Sequence, residues 1–158
     1  MGSAGTTGGK KIHGRKRHYL VDTPGHLLTV VVHGADVNDR EGAEWVLARG
    51  VSRWPTLRKG WADQGYTGEL VNWAQRECGL ALEIVTKRPE QVGFEVLPRR
   101  WVVERSIAWI NRCRRLSKEY EHWPDYSETV IYLASIHLLL RRLRPDPAVE
   151  RPYCRKVA

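Results

Sequence analysis

Cysteine is scarce and scattered: the 158 residues hold three, at 78, 113 and 154. An odd number without paired spacing excludes a disulfide framework and a cysteine-based zinc knuckle, and a reduced, cytoplasmic setting is expected. His13, His18, His26, His33, His122 and His137 show no zinc spacing either. Long apolar runs are also lacking. The best stretch, inside 130–140, is too short and too polar to span a bilayer, and no charged-then-apolar leader is read at the start, so membrane partners are not expected. Acidic residues are the minority: 18 against 26 Lys and Arg leave a formal charge of +8 and a pI near 9.7. Such a balance is the footprint of a protein that neutralises phosphates, although a merely soluble basic surface has the same total. What is present is enough apolar material, 42% with seven Trp, for one sizeable core in one domain.

Residues 1–9 are small and glycine-dense, a composition that predicts a flexible lead-in. A basic run from Lys10 to His18 leads into a strand, His18–Thr23, which Pro24-Gly25 turns back into a second strand, His26–Ala35, as an antiparallel hairpin. Asp36 or Asp39 is expected to cap a helix that ends near Gly50. A strand near Lys59–Asp63, a helix from about Gly68 to Glu77 stopped by Gly79, and a strand Leu80–Thr86 follow. Residues 91–97 are ambiguous, with a strand edge one reading. Two helices are predicted next, Arg99–Tyr120 and Ser127–Leu143, the second capped by Ser127, apolar on most sides and hence buried. Trp61, Trp101 and Trp109 are expected in the core, and Trp123 either packs or stacks on a base. Residues 146–158 read as a loose tail. An antiparallel start followed by alternating helix and strand predicts an α/β fold with a mixed sheet flanked by helices.

Two carboxylates stand out on unlike supports. Asp63 lies at a strand end in Trp-Ala-Asp-Gln-Gly-Tyr, and Glu104 in the first turns of a helix, within Pro-Arg-Arg-Trp-Val-Val-Glu-Arg. On that helix Val103, Ile107 and Ile110, adjoined by Val102, Trp109 and Cys113, make a core-facing stripe, with Arg100, Glu104, Ala108, Asn111 and Arg115 opposite. A phosphate beside Glu104 would meet cations at once. Each acid also has an ordinary reading: Arg100 and Glu104 as a helical ion pair of about 0.2–0.5 kcal/mol, and Asp63 as a turn-former. The runs Lys10, Lys11, Arg15, Lys16, Arg17 and Arg112, Arg114, Arg115, Lys118 are the expected phosphate contacts, with a solvated charged face as the alternative.

Several motifs in order, His18-Tyr-Leu-Val-Asp-Thr-Pro-Gly25, Val32-His-Gly-Ala-Asp-Val-Asn-Asp-Arg40, Trp61–Tyr66 and Leu97–Arg105 with Asn111–Leu116, resemble the catalytic core of DDE-type insertion-sequence transposases. The resemblance runs from about Gly9 to Pro145. It implies an RNase H-like fold in which two aspartates and a glutamate bind Mg2+ or Mn2+, with Asp63 as the second aspartate and Glu104 as the glutamate. Arg100 matches the arginine of the family's Tyr-Arg-Glu-Lys signature, whereas Leu97 stands at its tyrosine and Asn111 at its lysine. It also implies DNA as partner, with further copies or an intact transposase as protein partners, and a location on the nucleoid when DNA is bound.

Residues 1–9 hold no acid that could be the family's first aspartate. The sequence thus reads as the C-terminal part of the core, lacking its first strand: 10–145 a partial catalytic domain between the lead-in and the tail. In-line phosphodiester displacement uses two metals about 3.5–4 Å apart, so two acids are expected to hold one ion loosely and not a pair. It needs no covalent protein intermediate, and no Ser-His-Asp or Cys-His set is found. Asp22 is the one hairpin acid that could substitute, though turn-capping is its commoner role, and Asp36 and Asp39 read as helix caps. Three functions follow from this sequence: a partial transposase for metal-dependent strand cleavage and transfer, a non-catalytic DNA-binding or dimerising remnant, and an RNase H-like nuclease, which would need a third clustered acid.

Overall fold

Asp22, Pro24 and Gly25 reverse the chain. Gly25 sits at φ 90°, a region that L side chains avoid, and Asp22 clamps the turn by accepting from the His26 N–H at 2.6 Å and pairing with His26 Nδ1 at 2.8 Å. In the computed structural model, which describes residues 5–6, 13–86 and 100–144, this turn joins β2 (His13–Val21) to β3 (Leu27–Gly34), antiparallel, with Tyr19 opposite Val30 and Arg17 opposite Val32. The expected strand edge at 91–97 and the tail 146–158 lie outside the described residues. Strand β2 begins five residues earlier than expected because β3 continues to Gly34 and its pairing carries back to Arg15. A short β1 (Gly5–Thr6) pairs antiparallel with His13–Gly14.

The hairpin has core on both faces. His18, Leu20, Val31 and His33 face α1 (Asp39–Arg53), where Ala43, Val46 and Leu47 join a cluster with Leu70, Ala74, Leu80 and Leu82. On the other face Val30 and Val32, with Tyr19 beside them, meet Ile110, Leu116 and Ile131. Helix α1 is capped by Asn38, whose side chain accepts from Arg40 N, and not by Asp36 or Asp39; Asp39 is instead the first helical residue and pairs with Lys16 at 2.8 Å. It also runs through Gly50 to Arg53, because at that position a Cβ would lie 2.3 Å from Leu20 Cδ2: this glycine permits close helix–strand approach and does not end the helix.

Strand β4 (Lys59–Asp63) and β5 (Ala81–Val85) pair in parallel across α2 (Glu69–Cys78), which Gly79 terminates at φ 59° in the left-handed region, as the sequence predicts. Helix α3 (Arg100–Ile110) stops ten residues before the expected Tyr120; a single 3-10 turn at Arg114–Leu116 follows. Helix α4 (Pro124–Leu143) starts earlier than expected, with Pro124 in its first turn where a missing N–H costs nothing. Ser127 is therefore not its cap but a buried residue inside it, donating to Glu119 at 3.1 Å. Nor is α4 buried all round: Ser127, Ile131 and Ser135 form a narrow inward stripe, while Leu133, Ile136, Leu140 and Leu143 are exposed. The tryptophans differ from expectation as well. Trp101 is exposed and Trp109 half-buried, because guanidinium groups rather than aliphatic side chains cover their rings: Arg105 lies 4.2 Å from the first and 4.5 Å from the second, with Arg142 at 4.3 Å from Trp109. Half-buried Trp61 bonds Glu83 at 3.0 Å. Among the described residues no helix is long and apolar enough to cross a membrane.

Gly42 makes a second close helix–strand contact. A Cβ there would come within 2.3 Å of His33 Nε2 and 2.4 Å of His18 Nε2, two rings already stacked and buried. Gly42→Ala is expected to lower stability by about 1–3 kcal/mol despite the better helix propensity of alanine, measured as a shifted urea midpoint at unchanged slope.

Candidate active site

A cavity of about 450 Å3 opens between the hairpin and the β4–β5 pair. Its walls come from β2, α1, β4 and α3, and both Asp63 and Glu104 line it. Asp63 reaches it because β4 ends there: its carboxylate caps the 3-10 turn Gln64–Tyr66, accepting from Gly65 N at 3.0 Å. The turn-forming reading of Asp63 therefore holds together with its place on the cavity. Glu104 is exposed and stands beside Val102, Val103 and Ile107, so it lines the same cavity as these stripe residues rather than facing away from it. Asp22 also lines the cavity, but both its oxygens are engaged with His26. Among the described residues no group of three or more Asp, Glu, His or Cys could hold a metal ion. The donor set on hand, two carboxylates, suits one weakly held ion and does not fit a pair.

Next to Asp63 lies a polar chain that the sequence did not announce. The Tyr66 hydroxyl is 3.2 Å from His18 Nδ1, and the His18 ring stacks on His33 at 4.8 Å. Burial pushes the Tyr66 hydroxyl up to about 12, assisted by the negative charges of Asp63 and Asp39. Burial is also the main reason that His18 falls to about 4; the neighbouring His33 and Lys16 add to this and Asp39 opposes it. The Nε2 atoms of both histidines are buried without a partner among the described residues. The available signal was the hairpin register, since His18 faces Val31 and Lys16 faces His33, which sets the two imidazoles diagonally on one face.

The basic run is placed differently from the reading that makes it a free phosphate surface. The Arg15 side chain is only 5% exposed, donating to the Glu121 carbonyl at 2.8 Å and the His122 carbonyl and pairing with Glu119. Arg17 pairs with the other Glu119 oxygen at 3.0 Å, and Lys16 with Asp39 at 2.8 Å and the Val37 carbonyl. Arg115 pairs with Glu121 at 2.7 Å. Arg112, Arg114 and Lys118 are exposed. Lys10 and Lys11, and the Arg100 side chain, lie outside the described residues. Glu119 is the hub that sequence reasoning missed; the clue was an acidic pair, Glu119 and Glu121, opposite in charge to a basic run far away in sequence.

The family model described as "Transposase DDE domain" matches residues 1–139. The chain belongs to the DDE transposase family. A Burkholderia cepacia protein named as a transposase for insertion sequence element IS402 is 30% identical over 138 residues, which is 83% of this chain and 65% of the relative. The transposase chain described here thus spans less than two thirds of that relative's length. No solved structure matches it.

Two expectations follow. Because the folded pKa of His18 lies below its ordinary 6.5, the unfolded chain takes up a proton between about 6.5 and 4 that the folded chain refuses. Its contribution to stability is complete above pH 6.5, declines as pH falls towards 4 and declines no further below that; urea midpoints across this range should show the slope, and His18→Gln should flatten it. Glu119→Gln, which removes the charge shared by Arg15 and Arg17, is expected to cost about 1–3 kcal/mol in the same measurement at pH 7.

Proposed function

We propose that this chain is part of an RNase H-like transposase catalytic domain that acts in metal-dependent DNA strand cleavage and transfer, and that it contributes two of the carboxylates, Asp63 and Glu104. The observation that carries this reading is the convergence of a strand end and a helix start on one cavity, with one acid from each. An antiparallel hairpin beside a parallel pair, with helices against them, supports the fold assignment. The partner is DNA, met through phosphates: Arg112, Arg114 and Lys118 stand exposed just beyond α3, the helix that bears Glu104, and Arg115 beside them is paired with Glu121. Arg15 and Arg17 organise that surface from beneath.

Mg2+ or Mn2+, when bound, would supply Lewis-acid stabilisation of the phosphate oxygens, and Asp63 and Glu104 are the residues that would hold it. With two carboxylates and no third in the described cluster, the chain by itself is a DNA-binding unit that holds one ion weakly. That observation favours, as a second reading, a non-catalytic DNA-binding or dimerising transposase remnant.

The test combines binding, metal uptake and cleavage. Duplex DNA affinity should fall steeply with salt, and the double variant Arg112→Ala, Arg114→Ala should reduce the log–log slope by about 2. Asp63→Ala and Glu104→Ala should each leave that affinity within about twofold while abolishing paramagnetic broadening by Mn2+ of amide signals at Ala62 and Val103. Any Mg2+-dependent plasmid nicking should vanish in both variants. Nicking that survives both, or broadening unchanged in both, rejects the assignment of these two carboxylates.

A further inference from the structure

Helix α4 is apolar on two sides. One stripe, Ser127, Ile131 and Ser135, is buried, with Ile131 in the cluster of Val30 and Val32. The other runs along its solvent side: Tyr126, Thr129, Leu133, Ile136, Leu140 and Leu143 are spaced three, four, three, four and three residues apart and carry no charge. All are exposed, the five larger side chains by half or more, and none belongs to either core cluster. Thr129 turns its hydroxyl back onto the Asp125 carbonyl at 2.8 Å, within its own helix. A helix at the surface of a domain needs one apolar face; a second on the opposite side, alternating threes and fours, has the pattern of a coiled-coil seam.

The charges along α4 indicate what such a seam would take. Its first turn carries Asp125, whereas its last turn and C-cap carry Arg141, Arg142 and Arg144. Arg142 is stacked over Trp109; Arg141 and Arg144 stand exposed. A second α4 running antiparallel would bring each acidic start beside the other's basic end and set the two helix dipoles against each other, whereas a parallel one would crowd the arginines together. The spacing also reads the same in both directions. Antiparallel copies therefore match with no offset, Tyr126 against Leu143, Thr129 against Leu140 and Leu133 against Ile136, each layer formed twice about a two-fold axis.

We infer that the exposed stripe of α4 is an interface between two copies of this chain, packed antiparallel, α4 against α4. This names the face and the orientation for the dimerising reading given above and rests on that reading, not on the two carboxylates. From Tyr126 to Leu143 the seam is about 26 Å long. Two isolated helices of that length would be marginal, but each α4 is already held by its own core through Ile131. A seam one helix wide, about 10 Å, falls well below the roughly 800 Å2 that each partner buries in a standard interface, so the association is weak and reversible.

Sedimentation equilibrium of the full chain, without metal or DNA, is expected to show monomer and dimer in exchange at micromolar concentration. Leu133→Lys and Ile136→Glu, both at exposed positions, should each weaken the dimer at least tenfold while leaving the urea midpoint of the dilute monomer unchanged. The double variant Leu133→Lys, Ile136→Glu should dimerise at least threefold more tightly than either single one, because antiparallel packing sets each lysine against the other copy's glutamate. In a parallel pair like charges would meet and the double variant would be the weakest, which overturns the inference. A dimer untouched by either single change uses another face: that result overturns the inference and leaves the dimerising reading standing. A chain that stays monomeric at every concentration overturns both and leaves the stripe to a different polypeptide. A lowered urea midpoint in the dilute single variants also overturns the inference, since the stripe would then be packed within its own chain.

Discussion

The rest of the structure depends on a hairpin with no solvent face. Strand β3 contributes Val30 and Val32 to one cluster and Val31 to the other, all nearly inaccessible, so the two cores are the two sides of one ladder. Burying each such side chain contributes about 1.5–3 kcal/mol, and it does so only in one register, because a slip by one residue would exchange the two faces. The Asp22–Pro24–Gly25 turn and the Asp22–His26 clamp fix that register at its origin. Glycines 42 and 50 let α1 lie directly against it.

From this constraint comes the unexpected role of the basic run. Extending β2 back to His13 carries Arg15 and Arg17 onto the face that meets the segment after α3, where a guanidinium needs partners to be tolerated. Glu119 supplies two oxygens and the carbonyls of Leu116, Lys118, Glu121 and His122 supply more. The segment between α3 and α4 is thus tied to the hairpin by charge as well as by the buried side chain of Leu116. The exposed cations Arg112, Arg114 and Lys118 sit on that tied segment, so an ion-pair hub beneath the surface sets where they stand.

What the sequence made legible were features with a local cause. Gly79 after an amphipathic stretch, Pro24-Gly25 between apolar runs and Asp63 before Gln-Gly each dictate their own conformation, and each appears as read. What it hid depended on partners distant in the chain. Gly50 reads as a stop signal, yet Leu20 makes it a packing glycine; Ser127 reads as a cap, yet Glu119 holds it inside a helix that Pro124 starts. Trp101 and Trp109 read as core because aromatic mass suggests burial, whereas guanidinium stacking gives them a surface alternative. The two carboxylates were legible as residues and as element ends. That they meet was implied by the resemblance and not by any local signal, since their common cavity depends on how two separate sheets are spaced.

That spacing links the cavity to the carboxylates. In a cleft filled by water a unit charge pair at 4 Å is worth about 1 kcal/mol, against about 4 kcal/mol at the effective dielectric near a protein surface. The cation site proposed for Asp63 and Glu104 would therefore be weak on an open cavity for a reason beyond the number of carboxylates. Tyr66 already shows the opposite regime a few residues away, where burial and the Asp63 charge together push its hydroxyl up to about 12. Apolar mass between β2 and β4 would extend that regime to the end of β4. The same carboxylates would then attract a divalent ion more strongly, and would be costlier to leave without one.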